Sequence, residues 1–154
     1  MVSSDSDAVV CEIWIAASPE TVFAFFTDSE KIARWKGEAL GLDPRPGGLY
    51  RVRIADDVAQ GEFAELVPPT RIVFTWGWEG NGRRLVEPGK STVEIALIPD
   101  GDGTLVRLTH RGLSDEAGGL HAEGWNHYLP RLAVAASGGD PGPDPWAEPA
   151  ESQP

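Results

Sequence analysis

The segment that decides the fold is residues 114–136, SDEAGGLHAEGWNHYLPRLAVAA. Its apolar and aromatic residues recur at spacings of three and four, which is typical of one broad face of an amphipathic helix. That face contains Leu120, His121, Gly124, Trp125, Tyr128, Leu129 and Leu132. Gly118 and Gly119 each weaken a helix interior by about 1 kcal/mol relative to alanine, so we expect the firm helix to begin near Leu120, with residues 114–116 as a looser first turn. Pro130 predicts a kink in the helix rather than its end.

Most of the remaining chain is predicted to form β-strands. Apolar and polar residues alternate in several segments, as in half-buried strands, and turns rich in glycine, proline and aspartate separate them. Ser18 with Pro19, and then Asp28, are helix-start signals that predict two short helices, the second over residues 29–35. The long helix must bury its apolar face in the concave side of the sheet. The predicted fold is α+β, a curved antiparallel sheet of about six to seven strands with two short helices, wrapped around a long C-terminal helix.

Composition limits the domain organisation and the classes of partner. The 154 residues are enough for one domain, which we place at 8–137; residues 138–154 are rich in proline, glycine and acidic residues and predict a disordered tail. A formal net charge of −11 repels phosphates and anionic lipids, which argues against binding to nucleic acid or membranes. Cys11 has no partner for an internal disulfide and no apolar signal segment is present, so we expect a cytoplasmic location.

Short motifs are spread over residues 9–136. They are 17–23 (ASPETVF), 26–28 (FTD) with Trp35, 46–51 (PGGLYR), 61–63 (GEF), 68–76 (PPTRIVFTW), 108–113 (LTHRGL) and 124–125 (GW) with Leu129 and Leu132. Taken jointly, these motifs resemble the START-like (SRPBCC, helix-grip) superfamily and, within it, the homologues of the activator of the heat-shock-protein-90 ATPase.

The resemblance implies a cavity between the sheet and the C-terminal helix, which the superfamily uses for lipids, sterols, polyketides and other hydrophobic ligands. In the eukaryotic proteins that give the family its name, the domain helps to stimulate a chaperone ATPase. This chain resembles only their C-terminal type of domain and contains no segment similar to the N-terminal domain that supplies much of the stimulation. The family name therefore predicts a fold here rather than an activity.

Nine residues are predicted to bind a ligand in this cavity: Trp35, Phe63, Phe74, Trp76, Trp78, His110, His121, Trp125 and Tyr128. The period of two in a strand places Trp76 and Trp78 on one face, and the helical period places Trp125 and Tyr128 opposite them. Fully burying one tryptophan stabilises a fold by about 5 kcal/mol, so packing alone also explains these residues. These aromatic residues could therefore form either the wall of the cavity or part of the packed core.

The two inward-facing histidines, His110 and His121, could orient a ligand carbonyl or hydroxyl, or could be structural groups bonded to backbone or water. Zinc-ligand spacing, a phosphate-binding glycine loop, a dinucleotide fingerprint and a nucleophile with a placed base are absent from the sequence. We therefore predict no metal, no cofactor and no catalytic residue.

Charged residues give weaker signals. Arg45, Arg51 and Arg53 surround a Pro-Gly-Gly turn and could bind a carboxylate at the cavity mouth or form surface ion pairs. Glu62 and Glu65 differ by three positions in a strand, so they face opposite sides unless a bulge intervenes and make a poor acid–base pair.

The sequence leaves three hypotheses for function. The first is binding of a small hydrophobic or amphipathic molecule in the cavity. The second is a polyketide cyclase- or aromatase-like enzyme with His110 or His121 as the acid–base group. The third is a chaperone-associated interaction module that contacts its partner through a sheet edge or the tail, with Trp146 as the anchor. A homodimer is compatible with each of them.

Overall fold

The computed structural model describes residues 8–80 and 86–146. Within these residues the elements follow in the order β1 (Val9–Ile15), α1 (Pro19–Thr27), α2 (Ser29–Ile32), β2 (Glu38–Leu42), β3 (Leu49–Ile54), β4 (Asp57–Val67), β5 (Arg71–Trp76), β6 (Ser91–Asp100), β7 (Gly103–Arg111) and α3 (Asp115–Ala136). This α+β arrangement, with a seven-stranded curved sheet and a long C-terminal helix, confirms the predicted fold.

The strands form one antiparallel sheet in the order β1-β7-β6-β5-β4-β3-β2. Consecutive strands from β2 to β7 are neighbours, because short turns join antiparallel partners. β1 is added beside β7 and forms one edge, with β2 at the other. The part of the chain that the structure describes contains no helix that is both long and apolar enough to span a membrane.

The core lies between the inner face of the sheet and α3. Alternate residues of the strands are buried as the period of two predicts, among them Phe74 and Trp76 on β5 and Leu108 and His110 on β7. Phe74 pairs with Phe63 across β4 and β5, and its ring stacks on Tyr50 with the centroids 4.2 Å apart. The buried face of α3 joins the same apolar cluster.

The helices differ from prediction at two ends. α3 is regular from Asp115, where a looser first turn before Leu120 was predicted, because the Ser114 side chain accepts a hydrogen bond from the Ala117 amide and caps the first turn. The cap and the burial of Ala117 offset the helix weakness of Gly118 and Gly119. The helix continues through Pro130. α2 ends at Ile32, so Trp35 lies in the following turn and not in a helix.

Residues 138–146 lie against α3, although composition alone predicts an unpacked tail from residue 138. Arg131 on α3 donates to the carbonyl groups of Pro141, Gly142 and Pro143, which holds this segment to the helix. Composition could not reveal the contact, because the partners are backbone carbonyls that every sequence carries. Residues 147–154 lie outside the described residues.

Candidate functional site

A cavity of about 150 Å³ lies between the end of β5, the turn that joins β3 to β4, and the middle of α3. Trp76 and Trp125 are almost fully buried in its floor, whereas Leu120 and Trp146 are exposed at its rim. The surface it presents is mainly apolar. The lining consists of Lys36, Ile54, Ala55, Asp57, Trp76, Trp78, Leu120, His121, Gly124, Trp125, Tyr128 and Trp146.

Trp76 is the centre of the aromatic wall. Its ring centroid lies 5.3 Å from that of Trp78, in an edge-to-face arrangement, and 5.3 Å from that of Trp125. β5 ends at Trp76, but Trp78 keeps the same direction because Ala59 of β4 bridges to it. Among the described residues, Trp76 Nε1 is a buried hydrogen-bond donor without a partner. Such a donor is costly unless another group, such as a ligand oxygen, accepts it.

His110 is held in one tautomer by its neighbours. Trp125 Nε1 donates to His110 Nδ1 at 3.0 Å, so Nδ1 carries no proton and His110 Nε2 donates to Ser91 Oγ at 2.9 Å. Ser91 Oγ donates in turn to the Trp76 carbonyl. Burial, with the nearby His121 and Lys36, lowers the pKa of His110 to about 2. The imidazole is neutral and structural.

His121 takes the opposite tautomer. Its Nδ1 donates to the Ala117 carbonyl at 2.7 Å, and Trp78 Nε1 donates to its Nε2 at 2.9 Å. Either imidazole would have to break an existing hydrogen bond to accept or give a proton. This weighs against the hypothesis that His110 or His121 acts as an acid–base group.

Lys36 lines the cavity, and the sequence analysis did not predict it. It lies in the turn between α2 and β2 and is only 4 % exposed. The turn is pressed against β3, since a Cβ on Gly37 would lie 2.0 Å from the Arg53 carbonyl oxygen. Arg131 on α3 also donates to the Trp35 carbonyl. These contacts direct the Lys36 side chain into the protein instead of into solvent.

The Lys36 amine is enclosed by aromatic rings. Nζ lies 4.6 Å from the ring centroid of Trp125 and 4.7 Å from that of Trp76. It is 2.6 Å from Tyr50 Oη, which is hydrogen-bonding distance. No carboxylate of the described residues forms an ion pair with it.

Burial controls the protonation of this pair. It lowers the pKa of Lys36 well below the ordinary value, because a charged amine loses its hydration without gaining an anion. Burial also raises the pKa of the Tyr50 phenol. Burial therefore favours the uncharged form of both groups. A signal for Lys36 did exist, since it follows buried Ile32 by four positions, but a lysine is usually exposed and the spacing alone is weak.

Five of the nine predicted binding residues line the cavity, and four do not. Trp76, Trp78, His121, Trp125 and Tyr128 are in the lining. Trp35, Phe63, Phe74 and His110 are at most 1 % exposed and pack in the core away from this cavity. The sequence could not separate the two groups, because alternation along a strand shows that a side chain points inward but not how far it lies from the cavity. Other side chains can lie between an inward-pointing residue and the cavity.

The tail segment closes one side of the cavity. Asp144 accepts hydrogen bonds from Tyr128 Oη at 2.6 Å and from His127 Nε2 at 2.8 Å. Trp146 stacks on the His127 ring at a centroid distance of 3.8 Å and lines the cavity rim. Trp146 is thus partly engaged within its own chain. We call residues 141–146 the tail strap.

The remaining predicted charges stay on the surface. Arg45 pairs with Asp43, Arg51 with Glu79 and Arg53 with Glu38, each at least partly exposed. A bulge in β4 leaves Glu62 and Glu65 both exposed and outside the cavity. Within residues 8–80 and 86–146, no group of three or more His, Cys, Asp and Glu side chains could hold a metal ion.

Comparison with known proteins gives the relatives of this chain. The human activator of 90 kDa heat shock protein ATPase homolog 1 is 25 % identical over 111 residues, which are 72 % of this chain and 31 % of the human protein. The chain therefore spans about a third of the length of this relative.

Solved structures agree with the fold. An AHSA1-like protein of Rhizobium etli is 50 % identical, with a TM-score of 0.69 over 90 % of this chain and 86 % of that one. CalU16 of Micromonospora echinospora is 31 % identical, with a TM-score of 0.74 over 93 % of this chain and 72 % of that one. The Aha1 dimer of Colwellia psychrerythraea, at 20 % identity and a TM-score of 0.72, covers 90 % of this chain and 98 % of that one and shows that a homodimer occurs in this fold.

The family model for Activator of Hsp90 ATPase homolog 1-like proteins matches residues 16–137. This range contains all the described helices and strands except β1, which precedes it. The same region contains the cavity floor and the Lys36 turn. The chain belongs to the family of Activator of Hsp90 ATPase homolog 1-like proteins, in the START-like fold.

Proposed function

We propose that the protein binds a small, mainly apolar molecule in the cavity between the end of β5 and α3. The observation that carries this proposal is the combination of an aromatic lining, a buried amine with no described carboxylate partner, and a buried indole donor without a hydrogen-bond partner at the floor. Binding sites are typically apolar clefts with a few convergent polar groups. Lys36 and Trp76 are such groups.

An evolved void of this size needs a reason. Protein interiors contain few voids larger than a water molecule. This cavity opens at the rim formed by Leu120 and Trp146, so water can enter it, and a bound apolar molecule would remove the aromatic surface of its wall from water.

The volume also limits the ligand. Cavities of about 150 Å³ hold benzene-sized molecules, and drug-sized ligands need about 300 Å³ or more. The proposed ligand is therefore a single-ring or short-chain compound with one polar group. A polycyclic substrate would have to extend past the rim at Leu120 and Trp146.

The two other hypotheses have less support. A cyclase-like mechanism through His110 or His121 would first have to break the hydrogen bonds that already hold both rings. A chaperone contact through Trp146 would compete with its stacking on His127. The human relative is named for a chaperone ATPase, but this chain spans only about a third of its length.

Gly124 provides the test. It lines the cavity, and a Cβ placed on it would meet no atom within 4 Å, so the side chain in Gly124→Leu projects into the cavity without a clash at Cβ. Gly119→Leu is the matched control, because Gly119 lies on the same helix, has equal space and is not in the lining. Replacing a helix-interior glycine should raise stability by about 1 kcal/mol in both variants.

Saturation-transfer NMR with benzyl alcohol, phenol and toluene would measure binding. We expect wild-type protein and Gly119→Leu to bind the same compounds, and Gly124→Leu to lose at least tenfold in affinity while melting no lower than wild type. Equal binding by all three proteins, or no binding by wild type, would contradict the proposal. Alanine at Trp76 or Trp125 is a poorer test, since truncating a buried tryptophan costs about 3–5 kcal/mol and perturbs the core itself.

A further inference from the structure

We propose that the ligand of this cavity is a small aldehyde or ketone, which condenses with Lys36 Nζ to form an imine. The inference rests on the proposed function, because it names the chemical class of the molecule held in the same cavity. Three sets of observations carry it: the place of the amine in the cavity, the lack of an anionic partner, and the adjacent hydroxyl.

The amine is placed where a bound molecule would meet it. Lys36, Trp76 and Trp125 all line the cavity, and Nζ is within 4.7 Å of both indole ring centroids. The two indole rings are tilted by 46° to each other, and a small carbonyl compound bound against them would have its carbon close to Nζ. Trp76 Nε1, the buried donor without a partner, can bind the carbonyl oxygen.

The amine is also available for reaction. Lysine becomes a nucleophile when a hydrophobic pocket removes its hydration and holds it in the uncharged form. Here no described carboxylate pairs with Nζ, and the two nearby imidazoles, His110 and His121, have partners on both ring nitrogens. Burial lowers the pKa of Lys36, which favours the uncharged amine with its nitrogen lone pair free.

The reaction requires no cofactor. The Nζ lone pair attacks the carbonyl carbon, a C–N bond forms, and the oxygen takes up a proton to give a carbinolamine. Loss of the hydroxyl as water, with loss of the remaining N–H proton, gives R–CH=N–Lys36 plus H₂O from R–CHO plus the amine. No atom is oxidised or reduced. Tyr50 Oη, 2.6 Å from Nζ, is placed to relay the proton released from nitrogen to the leaving hydroxyl in one step, so that the phenol, whose pKa burial raises, does not ionise.

Reductive trapping tests the proposal. The chain contains three lysines, Lys31, Lys36 and Lys90, so peptide mass spectrometry can assign every modified side chain. Native protein is incubated at pH 7 with benzaldehyde and sodium cyanoborohydride, and benzyl alcohol binding is measured in parallel by NMR. A solvated lysine amine is almost fully protonated at this pH. We therefore expect Lys36 to acquire the benzyl group at least tenfold faster than Lys31 or Lys90.

Two variants connect the reaction to the cavity. Gly124→Leu should slow labelling of Lys36 at least tenfold and leave labelling of Lys90 unchanged. Tyr50→Phe keeps the ring and removes the hydroxyl, so it should slow trapping at Lys36 while benzyl alcohol still binds. Rapid labelling of Lys36 in Gly124→Leu would overturn the proposal, because the reaction would not pass through the cavity.

The parallel measurement separates the two claims. If benzyl alcohol binds but Lys90 is labelled as fast as Lys36 or faster, the imine is overturned and the binding function stands. If benzyl alcohol does not bind and Lys36 is not labelled, both the inference and the proposed function fail.

Discussion

Lys36 and Tyr50 form the least expected polar pair of the molecule, since an amine and a phenol lie 2.6 Å apart with almost no exposure of either residue. Burying polar groups destabilises a fold even when they bond to each other, and apolar replacements of similar shape are often neutral or stabilising. A contribution to stability therefore does not explain the pair, and a use of the amine explains it better.

The double variant Lys36→Met with Tyr50→Phe should be more stable than wild type by about 1–3 kcal/mol at pH 7. Lys36 binds a proton less readily in the folded state than in the unfolded state, where its pKa is near 10.5. Its contribution to wild-type stability therefore rises with pH from the folded pKa towards 10.5. The advantage of the variant should shrink as pH increases from 7 to 9.5, measured by urea unfolding. If the difference in free energy of unfolding between the variant and wild type grew with pH, the pKa of Lys36 would not be lowered in the folded protein.

The two histidines should be opposite tautomers. The donors and acceptors around them predict a proton on Nε2 of His110 and on Nδ1 of His121. Two-bond ¹H–¹⁵N correlation spectra distinguish these forms. His110 should also stay neutral down to pH 4, because burial lowers its pKa to about 2. A protonated His110 at pH 5 in the folded protein would show that the network is wrong.

At the scale of elements, α3 combines the floor and one wall of the site with the anchor of the tail strap. Trp125 faces the sheet and bonds His110, whereas Tyr128 and Arg131 hold the strap through Asp144 and backbone carbonyls. One helix therefore connects the cavity to the strap that borders it. Movement of the strap would change the rim without disturbing the floor.

Asp144 is the residue to change in the strap. Burial raises the pKa of its carboxyl, but hydrogen bonds from Tyr128, His127 and the Trp146 amide outweigh burial, so the pKa lies below its ordinary value of 3.8. The ionised Asp144 carboxylate therefore stabilises the strap above about pH 3.8. This stabilisation is lost as the pH falls through the pKa that Asp144 has in the folded protein. We expect the strap to remain attached at pH 5 and to detach under stronger acid.

Asp144→Asn should release the strap at neutral pH, because an amide replaces the charged acceptor that binds three donors. The Trp146 amide should then exchange with deuterium at least tenfold faster. Asp102→Asn, in an exposed turn, is the control and should leave that exchange unchanged. Unaltered protection in Asp144→Asn would mean that the stacking of Trp146 on His127 and the Arg131 hydrogen bonds hold the strap without the Asp144 carboxylate.

At the scale of the whole molecule, local patterns predicted the fold because each strand and helix obeys its own period. Alternation placed Phe74, Trp76 and His110 inward, and Ser18 and Asp28 capped the two short helices as expected. The same patterns could not predict depth. Phe74 and Trp76 share a strand face, but only Trp76 reaches the cavity.

The part of the site that the sequence did not predict depends on long-range contacts. Lys36 is buried because its turn is fixed against β3 and tied to α3 by Arg131, and no local pattern contains those contacts. Asp144 and Trp146 belong to a segment with the composition of a flexible tail, yet they bond to side chains on α3. Composition describes what a segment can bury, not which groups elsewhere will bind it.

The most direct test of the account is a ¹⁵N NMR titration with benzyl alcohol that follows the six tryptophan indole N–H signals. We predict saturable shifts for Trp76, Trp78, Trp125 and Trp146, which line the cavity, with the largest at Trp76 because its N–H is the unpaired donor. Trp14 and Trp35, outside the lining, should not move. Saturable shifts at Trp14 or Trp35 alone, or no saturable shift at any indole, would contradict the claim that this cavity is the binding site.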